Sequence, residues 1–75
     1  MEPEDRKLLE EQRDLLVDEL SRTMTARPGS PEINRLFRML GVVTWQMQTL
    51  DGPAPRHIRE AWRQALEDLR SRRPS

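Results

Sequence analysis

Ile33-Asn34-Arg35-Leu36-Phe37-Arg38-Met39-Leu40-Gly41-Val42-Val43-Thr44-Trp45-Gln46-Met47-Gln48-Thr49-Leu50 is a run that carries only two charges, Arg35 and Arg38, in a chain that is 35% charged. Placed on a helix at 100° per residue, Met39, Leu50, Val43, Leu36, Met47, Leu40, Ile33 and Phe37 cover an arc of about 160°, wider than one packing partner needs. The run is therefore expected to be the buried centre of the fold. Two flanking helices would take up Ile33, Leu36, Phe37, Leu40, Val43 and Met47, while Val42 and Trp45 fall outside the arc. Gly41-Val42-Val43-Thr44-Trp45 is locally as strand-like as helix-like, because β-branched and aromatic side chains favour a pleated backbone. No second strand exists elsewhere in the chain to pair with it, so the helical period decides.

The segments on either side share that period. Ser30-Pro31-Glu32 reads as an N-cap, a first-turn proline and a first-turn acid, and Asp51-Gly52-Pro53 reads as a stop, which places the second helix over about 31–51. Upstream, Leu8, Leu9, Leu15, Leu16, Val17, Leu20 and Met24 recur at helical spacing behind Pro3, Glu4 and Asp5, and Pro28-Gly29 ends the pattern, giving a first helix over about 3–25. Downstream, Ile58, Ala61, Trp62, Ala65, Leu66 and Leu69 share one face of a third helix over about 55–70, with 71–75 a frayed tail. Short breaks between helices imply antiparallel neighbours. The expected fold is all-α, a small three-helix bundle running up, down and up, with 1–75 as one domain and a dimer as one way to cover surplus apolar surface.

Seventy-five residues supply one modest core, and the absence of cysteine removes disulfides, thiolate metal sites and a thiol nucleophile. The opening Met1-Glu2-Pro3-Glu4-Asp5 lacks the basic start and apolar run of a secretory signal, so a cytoplasmic protein is expected. The formal charge of zero hides a partition. Residues 1–20 hold eight acids against three bases, a net −5, and residues 21–75 hold ten arginines against five acids, a net +5. Mutual attraction between the two parts would help to set the order of the helices.

Few residues suit catalysis. His57, the single histidine, falls in the first turn of the third helix about 100° from its apolar face, where the helix dipole disfavours its charged form. Glu10-Glu11 and Asp18-Glu19 are chain neighbours that point to different sides of a helix instead of converging. A di-metal bundle would need a glutamate three residues before a core histidine, where this chain has Ala54. Phosphate-loop, nucleophile-elbow and zinc spacings are all missing. No enzyme, cofactor, metal or small-molecule substrate is expected.

Two binding readings remain. Arg56, Arg59, Arg63 and Arg70 lie within about 60° of one another on the third helix, with Arg72 and Arg73 beyond them, a stripe that an accessory nucleic-acid binder would use on phosphates. Against it stand the neutral total charge and the i, i+4 partners Glu60 for Arg56, Glu67 for Arg63 and Asp68 for Arg72. The third helix does carry Ile58, Trp62, Leu66 and Leu69 opposite that stripe, as a membrane-surface helix would, but Ala61 and Ala65 between them make a close-packing face that favours a core role. The favoured expectation is a non-catalytic protein-protein interaction module, an adaptor, regulator or inhibitor, that contacts another protein or a second copy of itself. Its contact residues would be Met39, Val42 and Trp45, where tryptophan anchors and methionine adapts, together with Arg13 at the exposed edge of the first helix. Arg13 sits among Leu9, Leu16 and Leu20, either lying across apolar surface with its head in water or meeting an acid across a helix interface.

Overall fold

A computed structural model describes residues 2–72 and folds them into three helices, α1 (Pro3–Ala26), α2 (Pro31–Thr49) and α3 (Arg56–Ser71), with no strand among the described residues. The all-α fold of three helices is thus as the periodicity requires. Its boundaries follow the punctuation in the sequence. Pro3 opens α1, and the Arg27 N–H closes it by donating to the Thr23 carbonyl at 2.8 Å. Gly29 then takes φ +85°, which side chains other than glycine adopt at a cost, and the Ser30 hydroxyl accepts from the Glu32 N–H at 3.3 Å to cap α2. At its other end α2 stops at Thr49, short of the expected Asp51. Leu50 leaves the helix with ψ 115° and packs against the core, and Gly52 turns the chain with φ +80°. Helix α3 continues through Ser71, so the expected tail begins later; residues 73–75 lie outside those described.

The order of packing differs from expectation. The centre is α1, not α2. Of the nine buried apolar residues among those described, Leu9, Leu15, Leu16 and Leu20 belong to α1, Trp62, Leu66 and Leu69 to α3, and only Leu36 and Val43 to α2. Helix α1 packs against both neighbours, whereas no Cα atom of α2 comes within 8 Å of one in α3. Ion pairs Asp5–Arg59 near the start of α1 and Glu19–Arg72 nearer its end set α3 parallel to α1, while the short turn sets α2 antiparallel. The up-down-up course is therefore present, but the third side of the triangle is open. A Cα radius of gyration of 13.0 Å and extents of 39 × 25 × 17 Å describe a flattened molecule, against about 11 Å for a compact chain of this length.

The buried face of α1 explains its position. Asp5, Gln12, Leu16 and Thr23 fall within about 40° of one another at helical spacing, with Leu8 and Leu15 on one flank and Leu9 and Leu20 on the other. Two leucine rows serve two neighbours. Along the seam the polar groups are tied down: the Gln12 Nε2 donates to the Trp62 carbonyl at 3.1 Å, and Asp5, fully buried, holds Arg59. By contrast Val17 and Met24, counted in the apolar pattern of the first helix, are exposed.

Candidate interaction surface

The open side of the bundle is a groove of about 420 Å³ between α2 and α3, with α1 as its floor. Gln12 and Leu16 line the bottom, Met39, Val42 and Val43 form one wall, and Ile58, Ala61 and Ala65 form the other. The alanines were expected to bring a neighbouring helix close. Instead Ala61 is exposed on the groove wall and no helix of this chain closes over it. Arg38 and Gln46 supply polar groups on the α2 side, where a ligand would be oriented.

From that groove the apolar surface continues around the outside of α2. Val42 is 50% exposed, and Trp45, one turn further, is 63% exposed and outside the groove lining. Phe37 corrects the sequence expectation. It was assigned to the set absorbed by two neighbours, but α2 has one neighbour and Phe37 is 51% exposed. The width of an apolar arc reports how much surface needs covering, not whether the same chain covers it. Phe37, Gly41 and Trp45 form an i, i+4, i+8 row, with the glycine leaving a notch between two aromatic rings. A Cβ at Gly41 would meet nothing within 4 Å, and its φ is not positive. Inside the monomer this glycine has no steric purpose. Gly41→Ala is therefore expected to raise stability by about 0.5–1 kcal/mol in urea unfolding, the difference in helix entropy between the two residues.

Of the four expected contact residues, the fold brings Met39 and Val42 together on one wall and sets Trp45 beside them on the next turn. Arg13 stays apart. It is half-buried on α1, outside the groove lining, and its guanidinium lies 3.2 Å from Asp14, its chain neighbour, with no acid among the described residues met across a helix interface.

The arginine stripe of α3 is largely engaged within the molecule. Arg59 Nε lies 2.8 Å from Asp5 Oδ1, as a charge contact whose N–H is not aimed along the line between them, and Arg59 Nη2 donates to Asp5 Oδ2 at 3.3 Å. The same Oδ2 accepts from the Ala54 N–H at 3.3 Å, so one carboxylate fastens α1, α3 and the connection before α3. Arg70 pairs with Glu11, Arg56 lies 3.2 Å from Glu60, and Arg72 reaches Glu19 on α1 instead of Asp68 on its own helix. Arg63, beside Glu4, Lys7 and Glu11 in a shallow cleft, joins no ion pair among the described residues. The acidic first arm and the basic third helix thus attract each other, as the charge partition implies.

His57 is exposed in the first turn of α3. Among the described residues no three His, Asp or Glu side chains gather as a metal-binding group, and no helix is long and apolar enough to cross a membrane. No protein-family model, curated protein or solved structure matches the chain.

Two features of this surface were hidden in the sequence. Asp5 looks like any first-turn acid, and the sign of its burial is that it falls in phase with Gln12, Leu16 and Thr23. Phe37 gave no signal, because it stands at the edge of an apolar arc of about 160° whose width does not tell whether this chain covers it.

Proposed function

We propose that this chain is a non-catalytic protein-protein interaction module of the cytoplasm, an adaptor, regulator or inhibitor, which docks a partner on the α2–α3 groove and the adjoining outer face of α2. The observation that carries the reading is that its most apolar helix is peripheral, has a single neighbour, and turns Phe37, Val42 and Trp45 outward. Full burial of such a side chain is worth about 1.5–3 kcal/mol, so covering the exposed half of three of them would contribute about 3–4 kcal/mol to association. Tryptophan beside methionine suits a contact that anchors and adapts.

The alternative, an accessory nucleic-acid binder using Arg56, Arg59, Arg63 and Arg70, has fewer free cations to work with, since Asp5 holds Arg59 and Glu11 holds Arg70. A labelled duplex titrated at low salt is expected to give a flat trace; binding with a steep salt slope would favour this alternative.

Site-specific photocrosslinking tests the main reading in the cells that make the protein. A photoreactive residue replacing Val42 is expected to give a discrete protein adduct that one replacing Asp14 does not, and Trp45→Ala is expected to abolish it. Identical adducts from both positions, or none from position 42, would overturn the proposal. Trp45→Ala should leave far-UV helicity unchanged, because a side chain 63% exposed adds little to the fold. A cooperative loss of helix in that variant would make Trp45 part of the core.

A further inference from the structure

Arginine is abundant here, and most of it is matched by acid within the molecule. Arg6, Arg13, Arg22, Arg27, Arg56, Arg59, Arg70 and Arg72 each lie within 4 Å of a carboxylate. Among the described residues, the arginines outside these pairs are Arg63 on α3 and two on α2, Arg35 and Arg38. Both α2 arginines are exposed, and with Val42 and Trp45 they occupy an arc of about 80° on that helix. Of these two unmatched cations, Arg38 lines the apolar groove and Arg35 lies about one turn before it on α2.

Resting on the docking reading above, we propose that the occupant of the α2–α3 groove is an amphipathic helix of another protein whose apolar anchors are flanked by carboxylates. Seated over Leu16, it would supply the fourth helix of a bundle and set its acids against Arg35 and Arg38. The groove has the form for this. Its walls belong to two helices, and the α2 wall from Arg38 to Gln46 spans about 12 Å, enough to follow a helical ligand for about two turns. Ala61 and Ala65 keep one wall low, so a backbone can approach to the 8–10 Å interaxial distance of packed helices, while Met39 on the other wall adapts to the anchors.

Charge selects the class of helix. Covering Arg35 and Arg38 with an apolar or basic surface would strip water from two cations without replacing it, which disfavours such partners. Glu32, the one acid on α2, is already paired with Arg27 at 3.1 Å, and no acid lines the groove. A second copy of this chain does not supply the missing carboxylates. With two α2 helices antiparallel about Val42, Arg38 would face Gln46 and Arg35 would face Thr49, and the only acid of α2 is Glu32 in its first turn.

Two synthetic peptides test the proposal on the full chain. Both carry leucine anchors at i, i+3, i+7 and i+10; one has glutamate at every flanking position and the other lysine. Fluorescence anisotropy of labelled peptide is expected to show the glutamate peptide binding about five- to ten-fold more tightly at low salt, as two partly desolvated ion pairs would give. Arg35→Glu with Arg38→Glu should reverse the preference, and circular dichroism should show its fold unchanged, since both residues are exposed and unpaired. If the reversed variant unfolds, Arg35→Ala with Arg38→Ala should make the two peptides equal.

Equal binding of both peptides to the wild type, lost in Val42→Asp, would overturn the acidic helix and leave the docking surface standing. A glutamate preference that survives the double reversal would overturn it too, by placing the charge contact elsewhere. No binding of either peptide overturns the proposal outright, and the crosslinking result then decides the docking reading separately. A dimer in light scattering that the glutamate peptide fails to disperse would give the groove to a second copy.

Discussion

Arg59→Leu is expected to destabilise the fold by about 3–5 kcal/mol in urea unfolding at neutral pH, because it strands a charge in the interior. Asp5 has no exposed surface at all, and its carboxylate is held by the Arg59 guanidinium and the Ala54 N–H. Leucine fills part of the space but leaves the carboxylate with a single neutral donor. A chain of this length has a total stability of about 4–11 kcal/mol, so the variant would lie near or past the edge of folding. Asp5→Leu combined with Arg59→Leu is expected to recover most of the loss, since removing both charges removes the desolvation penalty along with the attraction. A loss below about 1 kcal/mol in the single variant would mean that water reaches Asp5.

Leu9→Ala is expected to cost about 3–5 kcal/mol by the same measurement, at the upper end of the range for leucine truncation, because Leu9 is wholly buried on the helix that both others pack against. Collapse around the cavity is limited because Leu9 lies on the central helix, which packing on two sides holds in place. Phe37→Ala provides the contrast. On the sequence alone Phe37 belongs to the core, where its truncation would cost about 3–5 kcal/mol; at 51% exposure it is expected to cost about 1 kcal/mol. Equal losses at Leu9 and Phe37 would restore α2 to the centre of the fold.

Much of the architecture was legible from local chemistry. Helix starts and stops depend on proline geometry, on a serine cap and on glycines that can take positive φ, and these act within a few residues, so Pro3, Ser30-Pro31 and Gly52 could be read directly. Leu50 was misplaced because its departure from the helix answers to the core it packs against, which is not a local property. The candidate surface was half legible: Val42 and Trp45 stood outside the apolar arc of α2 and are exposed, whereas Phe37 stood inside it and is exposed as well. The arginine stripe was visible as a stripe, but its partners Asp5, Glu11 and Glu19 lie more than fifty residues away in the chain.

Helix number, helix class and the mutual attraction of an acidic first arm and basic third helix follow from the order of residues alone, because they arise from period, punctuation and charge count. Which helix lies in the middle does not follow from that order. It depends on how two leucine rows on α1, divided by a seam of Asp5, Gln12 and Thr23, compete with the broader apolar surface of α2 for two places at the centre. That competition is won by the helix whose polar seam can also be satisfied, through Arg59 and the Trp62 carbonyl, and it leaves the most apolar stretch of the chain on the outside with Val42 and Trp45 exposed.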